Sequence, residues 1–360
     1  MVDDAGLEFV VDFPTLGDLA DAWIERHCRV PNGFDRDASF RQSDWQFWCT
    51  ANHYRVREDA VWRPERPLLN QAFVYRRSQV VAPQKTGKGP WSAAVTAGEA
   101  VGPVMFAGWA KAGDAYRCAD NGCSCGWEFY YEPGEAMGRR RPGPLIQLLA
   151  TSEEQAANVY GPLSTIIMDG PLTRLMATRE GFIRILDGDG GPKSNRIDVV
   201  SSSARSRLGN PITFAVQDEV GLYTVQNKMI EVANAQRRGL AGMGGRSIAT
   251  TNAWNPAENS DAQRTFEGNH KDVFTFFRQP PADLSYTNKR ERRKIHAFAY
   301  AGSPWVDLDD IEGMAAELMA NDPAEAERFY GNRLVSGSGA WLRDGVWDAA
   351  YAGRVVAESP

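Results

Sequence analysis

The chain is 360 residues long, 43% hydrophobic and 24% charged, which excludes wholesale disorder, a collagen-like fibre and a disulfide-rich miniprotein. With 46 acids against 40 bases the net charge is −6, a sum that argues against a nucleic-acid binder but says nothing of where the charges sit. Five cysteines, an odd number in a chain of this length, do not make a secreted disulfide framework and point to a reducing compartment.

The start, MVDDAGLEFVVDF, is acidic and lacks the basic and apolar regions of a signal peptide. No apolar run approaches about 18 residues, so the sequence predicts no membrane span. Residues 15–29 space Leu16, Leu19, Ala20, Trp23 and Ile24 at helical intervals. A second helix is expected from Ser43, with Ser43 or Asp44 as its cap. Residues 72–82 read as a strand, PQKTGKGP as a loop, and WSAAVTAGEAV as a helix. Strand-like runs follow at 145–150, 212–217 and 247–250, with a helix over 152–168 between them. The alternation predicts an α/β fold with a mainly parallel sheet. The stretch 111–144 breaks this rhythm and reads as a surface insertion. Beyond residue 276 the chain turns helical, around 307–320 and 323–332.

Three strand exits carry chemistry. Ala82-Pro83-Gln84-Lys85-Thr86-Gly87-Lys88-Gly89 is a degenerate form of GxxxxGK[ST], in which backbone amides cradle phosphates, the lysine reaches the terminal ones and the hydroxyl ligates magnesium. Ala82 replaces the first glycine and Gly89 the Ser/Thr; Thr86 and Ser92 are the nearest substitute hydroxyls. Taken alone, the loop reads equally as a basic surface turn. Asp218-Glu219 ends an apolar strand, where open α/β sheets bind ligands; acids at a strand end also simply face solvent. Thr250-Thr251-Asn252 closes a third strand, either as a γ-phosphate sensor or as an ordinary hydroxyl or Asx turn. Upstream, Gln46 carries an amide able to pair with adenine, or is a polar residue on a solvated helix.

In this order, DWQ (44–46), APQKTGKG (82–89), FAVQDE (214–219) and IATTN (248–252) resemble the N-terminal ATPase domain of the large terminase subunit of tailed double-stranded DNA bacteriophages. LIQLLATSEEQAANVY (145–160) and FYGNRLVSGSGAWL (329–342) are similar to later stretches of that family. The resemblance implies a P-loop NTPase of the ASCE type with a small helical C-terminal lid or linker. It would comprise an N-terminal helical extension (1–40), an ATPase core (41–275) and the lid (276–360).

The resemblance further implies ATP and Mg2+ as ligands and an ATPase that drives double-stranded DNA into a procapsid. Its partners would be DNA, other copies in a ring, the portal protein and the small terminase subunit, in the host cytoplasm during assembly and not at a membrane. Gln46 would read adenine; Gln84, Lys85, Thr86, Gly87, Lys88 and Gly89 would hold phosphates, with Lys88 at the β/γ positions. Asp218 would hold magnesium through water, Glu219 would be the catalytic carboxylate, and Thr250, Thr251 and Asn252 would couple hydrolysis to movement. Arg205 and Arg207 are candidates for an arginine supplied to a neighbouring subunit, with Arg139, Arg140 and Arg141 as alternatives.

The sequence departs from this family at Gly89, and again after Leu342, where the few remaining residues leave no room for the family's nuclease. The expectation is the motor half of a longer protein, or one whose nuclease lies elsewhere. The rival readings are a helicase-like P-loop translocase and a catalytically weak nucleotide-binding scaffold.

Two features stand apart from the motifs. Cys118, Cys123 and Cys125 supply three soft ligands where structural zinc takes four, and no histidine is close in sequence; the plain reading is reduced thiols in the insertion. TNKRERRKIH (287–296) holds five bases and one acid, suited to a solvated face or to a DNA backbone.

Overall fold

The computed structural model describes residues 9–186, 195–201 and 210–337. Helix α1 (Gly17–His27) turns Leu19, Ala20, Trp23 and Ile24 inward, as their spacing requires. Helix α2 (Asp44–His53) begins at Ser43, whose backbone N–H donates to Gln46 Oε1 at 3.0 Å, one half of a capping box. Strand β1 (Arg77–Val81) covers the later part of the expected 72–82 strand; Ala72 ends a 3-10 turn and Phe73 makes an isolated bridge to Val56. β1 leads through the lysine loop into α3 (Lys88–Val101).

The stretch read as a surface insertion, together with the strand just before it, adds short antiparallel pieces. These are β2 (Met105–Trp109), β3 (Ala115–Arg117), β4 (Glu128–Tyr130) and β5 (Ala136–Arg139), paired β2 with β5 and β3 with β4. Tyr116, Cys118, Cys123 and Tyr131 from this stretch are buried in the main core, alongside Trp23 and Cys28 of the N-terminal segment. Part of the insertion is therefore core.

The α/β rhythm resumes with β6 (Leu145–Leu149), α4 (Glu153–Met168), β7 (Met176–Arg179), β8 (Phe182–Ile185), β9 (Arg196–Val200) and β10 (Phe214–Asp218). Then come α5 (Met229–Ala241), β11 (Arg246–Thr251), α6 (Asp261–Glu267) and β12 (Val273–Phe277). Eight strands join in one sheet in the order β12-β1-β11-β10-β6-β9-β8-β7. The six from β12 to β9 are parallel; β8 and β7 extend the edge antiparallel. Strands β10 and β11 are buried along their whole length; β10 reads as a mainly apolar run, while β11 buries Arg246, Ser247, Thr250 and Thr251 beside Ile248 and Ala249.

Helices α7 (Lys289–Ala299), α8 (Leu308–Met319) and α9 (Pro323–Gly331) follow; α8 and α9 lie where helices were expected, and α7 forms on the run read only as basic. They close around a core of their own, with Tyr286, Ile295, Tyr300, Ile311, Ala326 and Tyr330. Among the described residues no helix is long and apolar enough to cross a membrane.

Candidate nucleotide-binding site

Strands β1, β11 and β10 are adjacent and parallel, so their carboxyl ends open onto one edge of the sheet. That edge gathers the lysine loop, Thr250–Asn252 and Asp218–Glu219. The Ala82 N–H donates to the Thr251 carbonyl at 3.1 Å, stitching the start of the loop to β11.

The loop turns on two left-handed residues, Lys85 at φ 68° and Gly87 at φ 89°, a conformation that glycine takes without strain. Thr86 is buried, and its hydroxyl donates to the Pro83 carbonyl at 2.8 Å. Lys88, the first residue of α3, is buried. Its ammonium donates to the Ala82 and Pro83 carbonyls at 2.7 and 2.8 Å and to Asn252 Oδ1 at 2.9 Å. Burial lowers its pKa, while the nearby Glu219 and Asp218 oppose that fall.

Gly89 has a packing reason. A β-carbon there would lie 2.5 Å from the Asn158 carbonyl oxygen on α4, so neither serine nor threonine fits unless backbone moves. Of the two substitute hydroxyls, Thr86 is engaged within the loop. Ser92 Oγ, one turn after Lys88, is buried with no hydrogen-bond partner among the described residues.

Asp218 accepts from Thr250 Oγ1 at 2.6 Å. Burial raises its pKa against the pull of that hydrogen bond and of Lys88. Glu219 sits at φ 55°, rare for a residue with a side chain, a strain typical of functional sites. Burial pushes its carboxyl up to about 7; Lys88 pulls the other way, and Asp218 adds to the rise. Asn252 joins the set: its side-chain amide donates to Glu219 Oε2 at 3.3 Å while its oxygen accepts from Lys88. Lysine, amide and acid thus form one chain across three strand ends. Thr251 Oγ1 accepts from the Gly221 N–H at 3.0 Å, bracing the turn after Glu219.

Gln46 also reaches this place. It is buried, and its Nε2 lies 3.2 Å from where a Gly87 β-carbon would stand. Its oxygen serves the cap of α2, so the amide nitrogen is what it presents to the loop.

Several partners of the loop are invisible in the motifs. Trp305 Nε1 donates to the Lys85 carbonyl at 3.2 Å, and its ring lies against Gly87. The Gln84 N–H donates to the Phe329 carbonyl at 2.9 Å. Asn332 donates to the carbonyls of Val81 and Arg278, at 3.3 and 2.9 Å. The helical C-terminal unit is therefore fastened to the lysine loop itself.

Arg205 and Arg207 lie outside the described residues. Arg139 stacks over Trp62 at 5.2 Å. The Arg140 backbone N–H donates to Asn121 at 3.1 Å, and Arg141 binds the Gly244 and Met243 carbonyls. In the basic run, Arg292 is buried against Glu312 and Arg293 pairs with Asp309, which leaves Lys289, Arg290 and Lys294 as exposed bases outside these pairs.

Comparison with known proteins agrees with this arrangement at the level of fold. The crystal structure of the HK97 bacteriophage large terminase superposes with a TM-score of 0.59 at 17% identity, over 89% of this chain and 55% of that one. The two share a fold. Among curated proteins, the Gene 13 protein of Mycobacterium phage D29 is 24% identical over 94% of this chain, and that of Mycobacterium phage L5 is 23% identical over 95%. The chain spans 58% and 59% of the length of these two relatives. No family model matches. The mixed α/β architecture expected from the sequence is thus one that the chain shares with the HK97 large terminase.

Proposed function

We propose that the chain is the ATPase motor domain of a phage terminase large subunit, hydrolysing ATP to drive double-stranded DNA into a procapsid. The observation that carries this reading is the Lys88–Asn252–Glu219 chain of hydrogen bonds, 2.9 and 3.3 Å long. It lines up the loop lysine, a strand-end amide and a buried acid at the switch edge of a parallel sheet, which supports their reading as phosphate-binding lysine, sensor and catalytic acid.

The backbone amides of the loop and the N-terminus of α3 receive the phosphates. Lys88 exchanges the Ala82 and Pro83 carbonyls and Asn252 Oδ1 for phosphate oxygens. Glu219, as a carboxylate, orients and deprotonates the attacking water. Asn252 loses one partner when Lys88 turns to phosphate, and this re-sorts its bond to Glu219 and the end of β11. The donor set suits a magnesium ion: two buried carboxylates, the Thr250 hydroxyl and the Ser92 hydroxyl, which has no hydrogen-bond partner among the described residues. Asp218, braced by Thr250, and Ser92 would hold it, and it would supply neutralising charge to the phosphates. Gln46 offers its amide nitrogen to the base. Other copies of the chain in a ring, portal, small subunit and DNA are the partners of this role.

Steady-state ATPase assays with magnesium test the reading. Lys88→Ala and Glu219→Gln should each lower kcat roughly a hundredfold or more, with circular dichroism unchanged. Full turnover in both folded variants would overturn it.

A further inference from the structure

The cysteines of the insertion do not stand alone. His27, at the last position of α1, lies 91 residues before Cys118 yet points its Nε2 into the turn between β3 and β4. That nitrogen is 3.5 Å from Cys118 Sγ, 3.7 Å from Cys123 Sγ and 3.3 Å from Cys125 Sγ. All four ligand atoms lie within 4.8 Å of one another. We propose that His27, Cys118, Cys123 and Cys125 bind a structural zinc ion that pins the insertion to the first helix.

The spacing fits the metal. Zinc bonds of about 2.3 Å to sulfur and about 2.05 Å to nitrogen, at tetrahedral angles, separate nitrogen from sulfur by about 3.6 Å. The three observed distances bracket that value. Four ligands close the coordination sphere, which marks a structural site and leaves no open position for substrate. Three soft sulfurs and one imidazole in this arrangement favour zinc over the hard cations magnesium and calcium.

The surroundings fit as well. His27 Nδ1 meets the Trp23 carbonyl at 2.8 Å; a donor there fixes the tautomer and leaves the Nε2 lone pair for a ligand role. In the absence of an ion, that single lone pair would face three thiols and accept well from only one. The Trp23 ring stacks on the imidazole at 4.5 Å and Trp127 meets it edge-on at 5.7 Å, shielding the site from water. Three thiolates and one zinc ion leave a net negative charge. Arg26 donates to the Cys125 carbonyl at 3.5 Å and Arg174 to the Ser124 hydroxyl at 3.4 Å, bringing positive charge to the same turn.

The site has a structural task. The β3–β4 hairpin pairs along only three residues per strand, too few for a hairpin to stand by itself. A zinc ion joins its turn to α1 and so to the main core. The spacing Cys-x4-Cys-x-Cys shows three ligands; the fourth comes from a helix at the other end of the sequence.

The 360-residue chain, expressed with zinc and purified without chelator, should carry about one zinc per chain by mass spectrometric metal analysis. Cobalt exchanged into the site should show the intense visible bands of a tetrahedral thiolate centre. Cys123→Ser and Cys125→Ser should bring zinc content below about a tenth per chain. His27→Cys keeps four ligands, so it should retain zinc and shift the cobalt bands, which guards against variants that simply fail to fold. A folded wild-type chain that takes up neither zinc nor cobalt would overturn the proposal, as would full zinc content in both serine variants.

Discussion

Glu219 is where residue chemistry sets a measurable behaviour. Its carboxyl is raised to about 7 because burial disfavours the charge. In the proposed ATPase Glu219 is the base and must first be a carboxylate, so kcat/KM for ATP should climb about tenfold per pH unit below about 7 and level off above it. The same shift has a stability consequence. The folded carboxyl binds its proton more tightly than its ordinary value of 4.5, while the unfolded one releases it near that value. Stability therefore falls as pH rises from about 4.5 to about 7. Glu219→Gln should remove both the rising limb and that part of the stability loss. A pH–rate profile and urea titrations across the window check this, and a rate flat from about pH 5.5 to 8.5 would remove Glu219 from the base role. Gly89 teaches a different lesson at this scale. As sequence it is a defect in a phosphate-loop motif; in the fold it is the contact of α3 with the Asn158 carbonyl. No pattern of residues 82–89 contains that information.

Between elements, legibility follows distance along the chain. Lys88, Asp218–Glu219 and Thr250–Asn252 are each a strand end and its immediate exit, so neighbouring letters disclose them. The cap of α2 is local for the same reason. Strands β7 and β8 are four residues long and partly exposed, which gives their run little periodicity. β12 packs aromatic rings on both faces at the sheet edge and resembles any short apolar run. Trp305 escapes altogether because it meets Lys85 across 220 residues, and Asn332 reaches Val81 across 251. These contacts make the helical unit a brace on the loop. Trp305→Ala removes one hydrogen bond and the ring over Gly87, a loss of about 1 kcal/mol in the ordering of the loop. The Michaelis constant for ATP should rise about fivefold, measured by ATPase titration. An unchanged value would show that the loop holds its shape without the tryptophan.

At the scale of the whole molecule, net charge is a poor guide because ion pairs consume charge unevenly. The basic run that reads as five free bases loses two of them, Arg292 to Glu312 and Arg293 to Asp309, to packing between α7 and α8. Lys289, Arg290 and Lys294 stay exposed on the same helical unit that braces the lysine loop, so a DNA backbone bound there would pull on the proposed nucleotide site. If the packaging role holds, these three bases meet phosphates without reading sequence. Replacing all three by alanine should weaken binding to duplexes of unrelated sequence alike. The slope of log affinity against log salt should become shallower by about 2 to 3, since each phosphate contact contributes about 0.9. ATPase without DNA should be unchanged, because none of the three side chains enters the hydrogen-bonded set around Lys88 and Glu219. Fluorescence anisotropy over a salt series decides the matter: an unaltered slope would move the DNA-facing surface off α7 while leaving the nucleotide site where it is.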